Sequence, residues 1–191
     1  MLAVSYTHLT LPPTLSSNLR LEFAELQEMG VKAEVKNLLG EVSVMDTLTQ
    51  DFVQVRMSKV STLQMKKLPM ENGDSVLCVV KSFAGPEKES ELYFFSQEWK
   101  ALDTNPFLGG KRMEDLAETL VQKPDTMSES RFADLKAMIE PKMVSALLLQ
   151  NENALVVRLA SPLLSADDKK VVNVIKLQRK FNWNGKSFKE S

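Results

Sequence analysis

Residues 61–96 read STLQMKKLPMENGDSVLCVVKSFAGPEKESELYFFS, and the strand and turn patterns of this stretch predict an antiparallel sheet. Asn72-Gly73 is a dipeptide typical of a tight hairpin turn, because both residues tolerate positive φ. A β-rich run follows from Val76 to Phe83. Gly85-Pro86 marks another turn before the aromatic strand pattern of residues 91–96. With the apolar alternation at Leu63 and Met65 and the earlier run 52–57, the sequence predicts an antiparallel meander of about four or five strands.

Two helices are predicted upstream of the meander. Ser17-Asn18 can cap a helix, and the apolar face that follows lies at Leu19, Phe23 and Leu26. After a break at Gly30, a second apolar stripe of the same spacing lies at Val31, Val35 and Leu38. This second stripe predicts another short helix, ended by Gly40.

The C-terminal half repeats the mixture of helices and hairpins. Residues 109–124 are compatible with a short helix over Met113, Leu116 and Leu120 or with a linker. Ser128 begins a helix that ends before Pro141, and Ser165 caps another. Strand patterns cover residues 144–149, 154–160, 178–183 and 186–189, the last two being a hairpin around Asn184-Gly185.

The predicted fold class is α+β, with antiparallel sheets and helices packed on one face. A tandem repeat of a helix-then-sheet unit is left open, because both halves carry an aromatic strand that leads to a tryptophan, Trp99 or Trp183. The predicted division has a disordered leader at 1–16, a helix-and-meander unit at 17–104, a connection at 105–127 and a second helix-and-hairpin unit at 128–191 that packs with the first.

The first residues of the chain resemble a sequence that does not belong to the natural protein. Residues 1–14 read MLAVSYTHLTLPPT, and Val4–Leu9 resembles the translation of a transposon-end adapter used in sequencing libraries. We therefore expect this stretch to be non-native and the true N-terminus, with any signal peptide, to be missing. His8, the only histidine, lies within it. The remaining chain then offers no histidine for a catalytic triad, a general base or a metal site.

Composition narrows the function classes further. The net charge of −1 and a pI near 6.0 are unlike those of proteins that hold a nucleic-acid backbone. No apolar run approaches the ~20 residues that a membrane-spanning helix needs. The single cysteine, Cys78, lies in the apolar run Val76–Val80, which favours a buried thiol. We expect no cofactor, no nucleic-acid partner and no membrane span.

Three groups of charged residues are candidates for a functional site, and in each the residue pattern favours a structural role. The acidic residues Glu114, Asp115 and Glu118 lack the spacing of a calcium loop and are typical of a solvated helix face. Asp167-Asp168 has the position of a helix cap rather than of paired catalytic carboxylates. The basic tail, Lys169 to Lys189 with Phe181, Trp183 and Phe188 interleaved, is typical of a half-buried hairpin rather than of a base-stacking surface. We predict no catalytic, cofactor-binding or metal-binding residue.

Several short motifs resemble those of one protein family. They are Met29–Val35, Ser61–Lys66, Val79-Val80-Lys81 with Gly85-Pro86, Trp99-Lys100, and Trp183–Lys186. They are similar to an uncharacterised family from anaerobic gut bacteria, known as a domain of unknown function. The resemblance implies a secreted or periplasmic protein and carries no known active site. The order of helices and sheets is also similar to the β-lactamase-inhibitor-protein-like architecture, an analogy of fold only.

These observations together predict an extracytoplasmic, non-catalytic module that acts through a protein- or peptide-binding surface. Two other functions stay open. A small-ligand carrier predicts a closed apolar cavity, and a histidine-free hydrolase predicts two facing carboxylates in a deep cleft. The sequence does not predict an oligomeric state.

Overall fold

The computed structural model describes residues 17–37, 40–175 and 177–191. The predicted leader at 1–16, with His8, lies outside the described residues, as do Leu38 and Lys176. The fold is α+β, with two antiparallel sheets and a set of short helices. None of the described helices is long and apolar enough to cross a membrane.

The first predicted helix is confirmed as α1 (Ser17–Glu28). Its apolar residues form one buried face, as their spacing predicts. Leu19 and Phe23 are buried, and Leu26 packs against the same cluster. The side chains that join them there come from the strands and the short segment after α1: Ala33, Val35, Met45, Val53, Val55, Leu63, Met65 and Val79. One face of α1 thus closes one face of the sheet.

The second predicted helix, over residues 31–40, is wrong, because the chain forms strand β1 (Glu34–Lys36) there. Val35 is buried between the exposed Glu34 and Lys36, and it pairs with Ser43 on the next strand. The error has a simple cause. A spacing of four residues, as between Val31 and Val35, fits the helical period and is also two full strand periods.

The predicted meander is confirmed and is longer than expected, since the described part of the chain forms seven of its strands in sequential order. After β1, its strands are β2 (Val42–Leu48), β3 (Phe52–Arg56), β4 (Ser61–Pro69), β5 (Ser75–Ala84), β6 (Lys88–Phe95) and β7 (Ala101–Leu102). The turn at Asn72-Gly73 joins β4 to β5 as predicted. Gly73 there has φ +84°, and the Asn72 side chain accepts the Asp74 N–H at 3.1 Å.

Within its described residues, the C-terminal half contains four strands and three helices after a 3-10 turn (Asn105–Leu108). The helices are α2 (Met113–Leu120), α3 (Glu129–Met138) and α4 (Ala166–Val172). The strands are β8 (Met143–Leu148), β9 (Ala154–Ala160), β10 (Gln178–Trp183) and β11 (Phe188–Glu190), in the sheet order β11-β10-β9-β8. The open choice for residues 109–124 is thereby resolved: Leu116 and Leu120 are buried side chains of a helix.

Two serine caps are confirmed. The Ser128 hydroxyl accepts the Arg131 N–H at 3.3 Å at the start of α3. The Ser165 hydroxyl accepts the Asp168 N–H at 3.1 Å at the start of α4. Each cap satisfies one of the N–H groups that the first helical turn leaves without an internal partner.

The described chain divides into two compact units. The first runs up to Lys81 and includes Tyr93–Leu102, and the second comprises Ser82–Leu92 and Asp103–Ser191. The tip of the β5–β6 hairpin is therefore part of the second unit, together with β8 to β11. The region 105–127, predicted as a connection, contains the 3-10 turn and α2 within this unit.

Candidate functional site

The second unit carries an open groove on one face of its sheet. The groove has a volume of about 230 Å³. It lies opposite the buried face of β9, which carries Leu155, Val157 and Leu159. The sheet residues that line it are Ser145, Ala146, Leu147, Val156, Arg158, Ala160 and Gln178. We call it the β8–β9 groove.

A polar row crosses three strands in the middle of the β8–β9 groove. Ser145 pairs with Arg158 across β8 and β9, and Arg158 pairs with Gln178 across β9 and β10. Directly opposed residues on one face have Cβ atoms about 4.5–5.5 Å apart. A hydroxyl, a guanidinium and a carboxamide therefore lie side by side.

Apolar side chains flank this polar row. Leu147 and Val156 form the next cross-strand pair along β8 and β9, and Leu147 is 45% exposed. Ala160 lies two residues beyond Arg158 in the other direction along β9. A ligand that contacts the guanidinium can therefore also place an apolar group on Leu147.

The wall of the β8–β9 groove is the tip of the β5–β6 hairpin, which contributes Glu87 and Lys88. Two contacts fix this tip. The Ser90 hydroxyl donates to the carbonyl of Ala146 on β8 at 3.4 Å, and Glu87 forms an ion pair with Lys169 of α4. The wall is thus tied to the floor strand and to a helix, which limits its movement.

The charge of the β8–β9 groove is positive. Arg158 and Lys88 are exposed, and the side chain of neither has a hydrogen-bond or ion-pair partner within the part of the chain that the structure describes. Glu87, the one acidic residue among the described lining side chains, is neutralised by Lys169. Two unpaired cations next to a neutralised carboxylate favour an anionic ligand.

The size of the groove limits the kind of ligand. Its volume of about 230 Å³ falls below the ~300–1,000 Å³ of pockets that enclose small molecules. It is open, with Leu147 and Arg158 exposed along its length. The groove therefore suits one or two side chains of a longer ligand that lies across the sheet.

Cys78 lies on β5 and is fully buried, as predicted. Burial raises the pKa of its thiol, because the thiolate would lose its hydration. A thiol held in its neutral form is a poor nucleophile. Cys78 therefore acts as a small apolar side chain.

Of the acidic residues near the start of α2, only the side chain of Asp115 lies within the described part. The Arg112 side chain donates to Asp115 at 3.3 Å, and the Arg112 N–H donates at 3.2 Å. These contacts lower the pKa of Asp115 below its ordinary value. Within the described residues, no three acidic, cysteine or histidine side chains come together to hold a metal ion.

Asp167 and Asp168 lie in the first turn of α4, after the cap residue Ser165, where the helix dipole favours carboxylates. The Ser165 hydroxyl donates to Asp168 at 2.6 Å, and Lys170 pairs with Asp167 at 2.9 Å. The two carboxylates thus have different partners, one at the cap and one along the helix.

The basic tail has the pattern of a half-buried hairpin, as predicted. Phe181 and Phe188 are buried, and Trp183 packs against the Phe188 ring at 5.2 Å. Arg179 pairs with Glu190, and Lys180 pairs with Glu152. These aromatic rings are engaged within the second unit, so they are not presented as a stacking surface.

The residues that line the β8–β9 groove were not predicted as a site from the sequence. Arg158 interrupts the apolar strand Ala154–Ala160, and a lone arginine in such a run is a visible signal. Lys88 and Gln178 carry no comparable signal. Their position near Arg158 follows from strand register and from the fold of the hairpin tip.

A buried lysine in the first unit was also missed. The side chain of Lys66 on β4 is 1% exposed, and its ammonium lies 3.1 Å from the Asp51 carboxylate. It also lies 5.8 Å from the centre of the Phe52 ring. A buried charge needs such partners, and we treat this pair as part of the structure of the sheet.

The fold and groove define an α+β protein with two antiparallel sheets and an open, positively charged surface groove. A family model described as "Protein of unknown function (DUF3256)" matches residues 9–188, and the chain belongs to this family. It is similar in structure to a domain of an uncharacterised protein from Porphyromonas gingivalis W83. The TM-score is 0.74 over 99% of both chains, at 21% identity. No curated protein matches the sequence.

Proposed function

We propose that this protein is a non-catalytic binding module that holds a peptide segment of another protein in the β8–β9 groove. The proposal is supported chiefly by the groove itself, where the Arg158 and Lys88 side chains, without partners among the described residues, lie near the half-exposed Leu147. Exposed apolar groups beside unsatisfied donors are what a peptide-binding surface requires.

The groove favours a peptide over the two other functions. A carrier would enclose its ligand, whereas this groove is small and open. A carboxylate-based hydrolase would need two acidic groups around its substrate. Glu87 is the one acidic residue among the described side chains that line the groove, and it forms an ion pair with Lys169.

Peptide display on the immobilised full chain tests the binding function. Selected peptides would then be titrated against Leu147→Asn and against Leu163→Asn. Leu163 is an exposed leucine of the same unit that does not line the groove. Full burial of a leucine contributes about 1.5–3 kcal/mol, and Leu147 is 45% exposed. Leu147→Asn should therefore remove about 1 kcal/mol, or roughly fivefold in affinity.

The control variant decides the result. The proposal expects Leu163→Asn to bind as the wild type does. If both variants bind the selected peptides as tightly as the wild type, or if display enriches no peptide, the groove is not a peptide-binding site.

The cellular location is part of the proposal. The likeness to secreted proteins of anaerobic gut bacteria supports a role outside the cytoplasm. The analogy to the β-lactamase-inhibitor-protein-like architecture is compatible with protein binding. This analogy includes the tandem helix-then-sheet repeat that the sequence leaves undecided. Fractionation of the native host with an antibody against the chain should find it in the envelope or the medium. A purely cytosolic signal would contradict this location and leave the groove's function untouched.

A further inference from the structure

We infer that the ligand of the β8–β9 groove is an acidic, extended peptide segment whose Asp or Glu carboxylate binds Arg158. This inference rests on the proposed function and adds the chemistry of the ligand. It begins from the polar row Ser145–Arg158–Gln178, which the strand register places at one level across the sheet.

The guanidinium of Arg158 is the centre of this site. It has no partner within the part of the chain that the structure describes, and it lies on an exposed strand position. A planar guanidinium matches the two oxygens of a carboxylate and binds them in bidentate fashion. Ser145 on one side and Gln178 on the other can donate to the same oxygens.

The second cation strengthens the preference for an anion. Lys88 reaches the groove from the hairpin tip and also has no partner within the described residues. The adjacent Glu87 would repel an acidic ligand, but Lys169 neutralises it. The whole chain carries a net charge of −1, so its total charge does not attract anions. The preference is a local property of the groove.

A peptide fits these groups better than a free anion does. Leu147 and Val156 lie in the pair next to Ser145 and Arg158. A ligand that places a carboxylate on Arg158 therefore needs an apolar group close by. A peptide with an acidic residue and a nearby apolar residue supplies both, and its extended backbone can follow the open face.

Two pools of end-blocked, fluorescent peptides test the inference. The sequences are randomised except at one central position, which is glutamate in one pool and glutamine in the other. Anisotropy titrations of the full chain should show the glutamate pool binding about threefold more tightly, the effect of one solvent-exposed ion pair. Arg158→Gln should abolish this difference. Arg131→Gln is the matched control, because Arg131 is an exposed arginine of the same unit outside the groove.

Each outcome has a separate meaning. A glutamate preference that Arg158→Gln removes and Arg131→Gln retains supports the inference. Equal binding of both pools, weakened by Leu147→Asn, overturns the carboxylate preference and leaves the peptide groove standing. Equal loss in Arg158→Gln and Arg131→Gln attributes the preference to general charge and also overturns the inference. If neither pool binds, or if Leu147→Asn leaves the affinity for both pools unchanged, both the inference and the proposed peptide-binding function are wrong.

Discussion

The ion pair between Lys66 and Asp51 gives a quantitative test of how the first unit is held together. The ammonium of Lys66 is buried and lies 3.1 Å from the Asp51 carboxylate. Asp51→Asn keeps the shape and an acceptor oxygen but removes the countercharge. The buried ammonium then faces a neutral amide where the carboxylate was.

The expected cost follows from burial. Breaking a fully buried pair costs ~3–5 kcal/mol, but the Asp51 side chain is 48% exposed, so water screens part of the interaction. We expect Asp51→Asn to lower the free energy of unfolding by about 2 kcal/mol. Lys66→Met removes the buried charge at similar volume and should change stability by less than ~1 kcal/mol.

Urea unfolding and amide exchange in β3 and β4 would measure these changes. In the Lys66→Met background, Asp51→Asn should cost almost nothing, because no ammonium remains to be compensated. The control is Asp46→Asn, which removes the partner of Arg56 in an exposed pair and should cost under ~1 kcal/mol. Equal costs of Asp51→Asn in both backgrounds would show that the cost does not come from its ion pair with Lys66.

Three further predictions concern other contacts. Cys78 should resist alkylation in the native chain and react fully in urea, because it is buried and its thiol pKa is raised; rapid native labelling, measured by mass spectrometry, would contradict this. Arg112 holds the pKa of Asp115 below its ordinary 3.8, so the carboxylate stabilises the fold above that pH and the effect is lost as the pH falls through the lowered pKa. Asp115→Asn should thus be less stable than the wild type at pH 7, and urea titrations at lower pH should show the gap closing, not widening. Ser128→Ala should cost ~1 kcal/mol in urea unfolding through loss of the α3 cap, whereas Ser130→Ala, at an exposed position inside the helix, should cost nothing; equal costs would argue against the cap.

The sequence was sufficient for most elements because their signals are local. The turn at Asn72-Gly73, the β-rich run of β5 and the caps Ser128 and Ser165 each depend on neighbouring residues. The helix predicted at 31–40 failed because a four-residue spacing does not by itself distinguish a helix from a strand. Val31 is exposed before β1, whereas Val35 is buried in β1, which pairs with β2. Short β7 carries only two residues, too few for a periodic signal.

The groove was not predictable by the same means. Arg158 and Gln178 become neighbours only through the pairing of β9 with β10, about twenty residues apart. Lys88 joins them through the hairpin tip, which is much further away along the chain. Such long-range neighbours carry no local pattern, so the sequence indicated at most that one arginine lies in an apolar strand.

Chemical-shift mapping would show whether peptides bind in the β8–β9 groove. Isotope-labelled full chain would be titrated with a display-selected acidic peptide. The largest amide shifts should cluster at Ser145–Leu147 and Val156–Ala160, and the Arg158→Gln variant should lose them. Shifts confined to the first unit, or spread without a cluster, would contradict peptide binding in the groove.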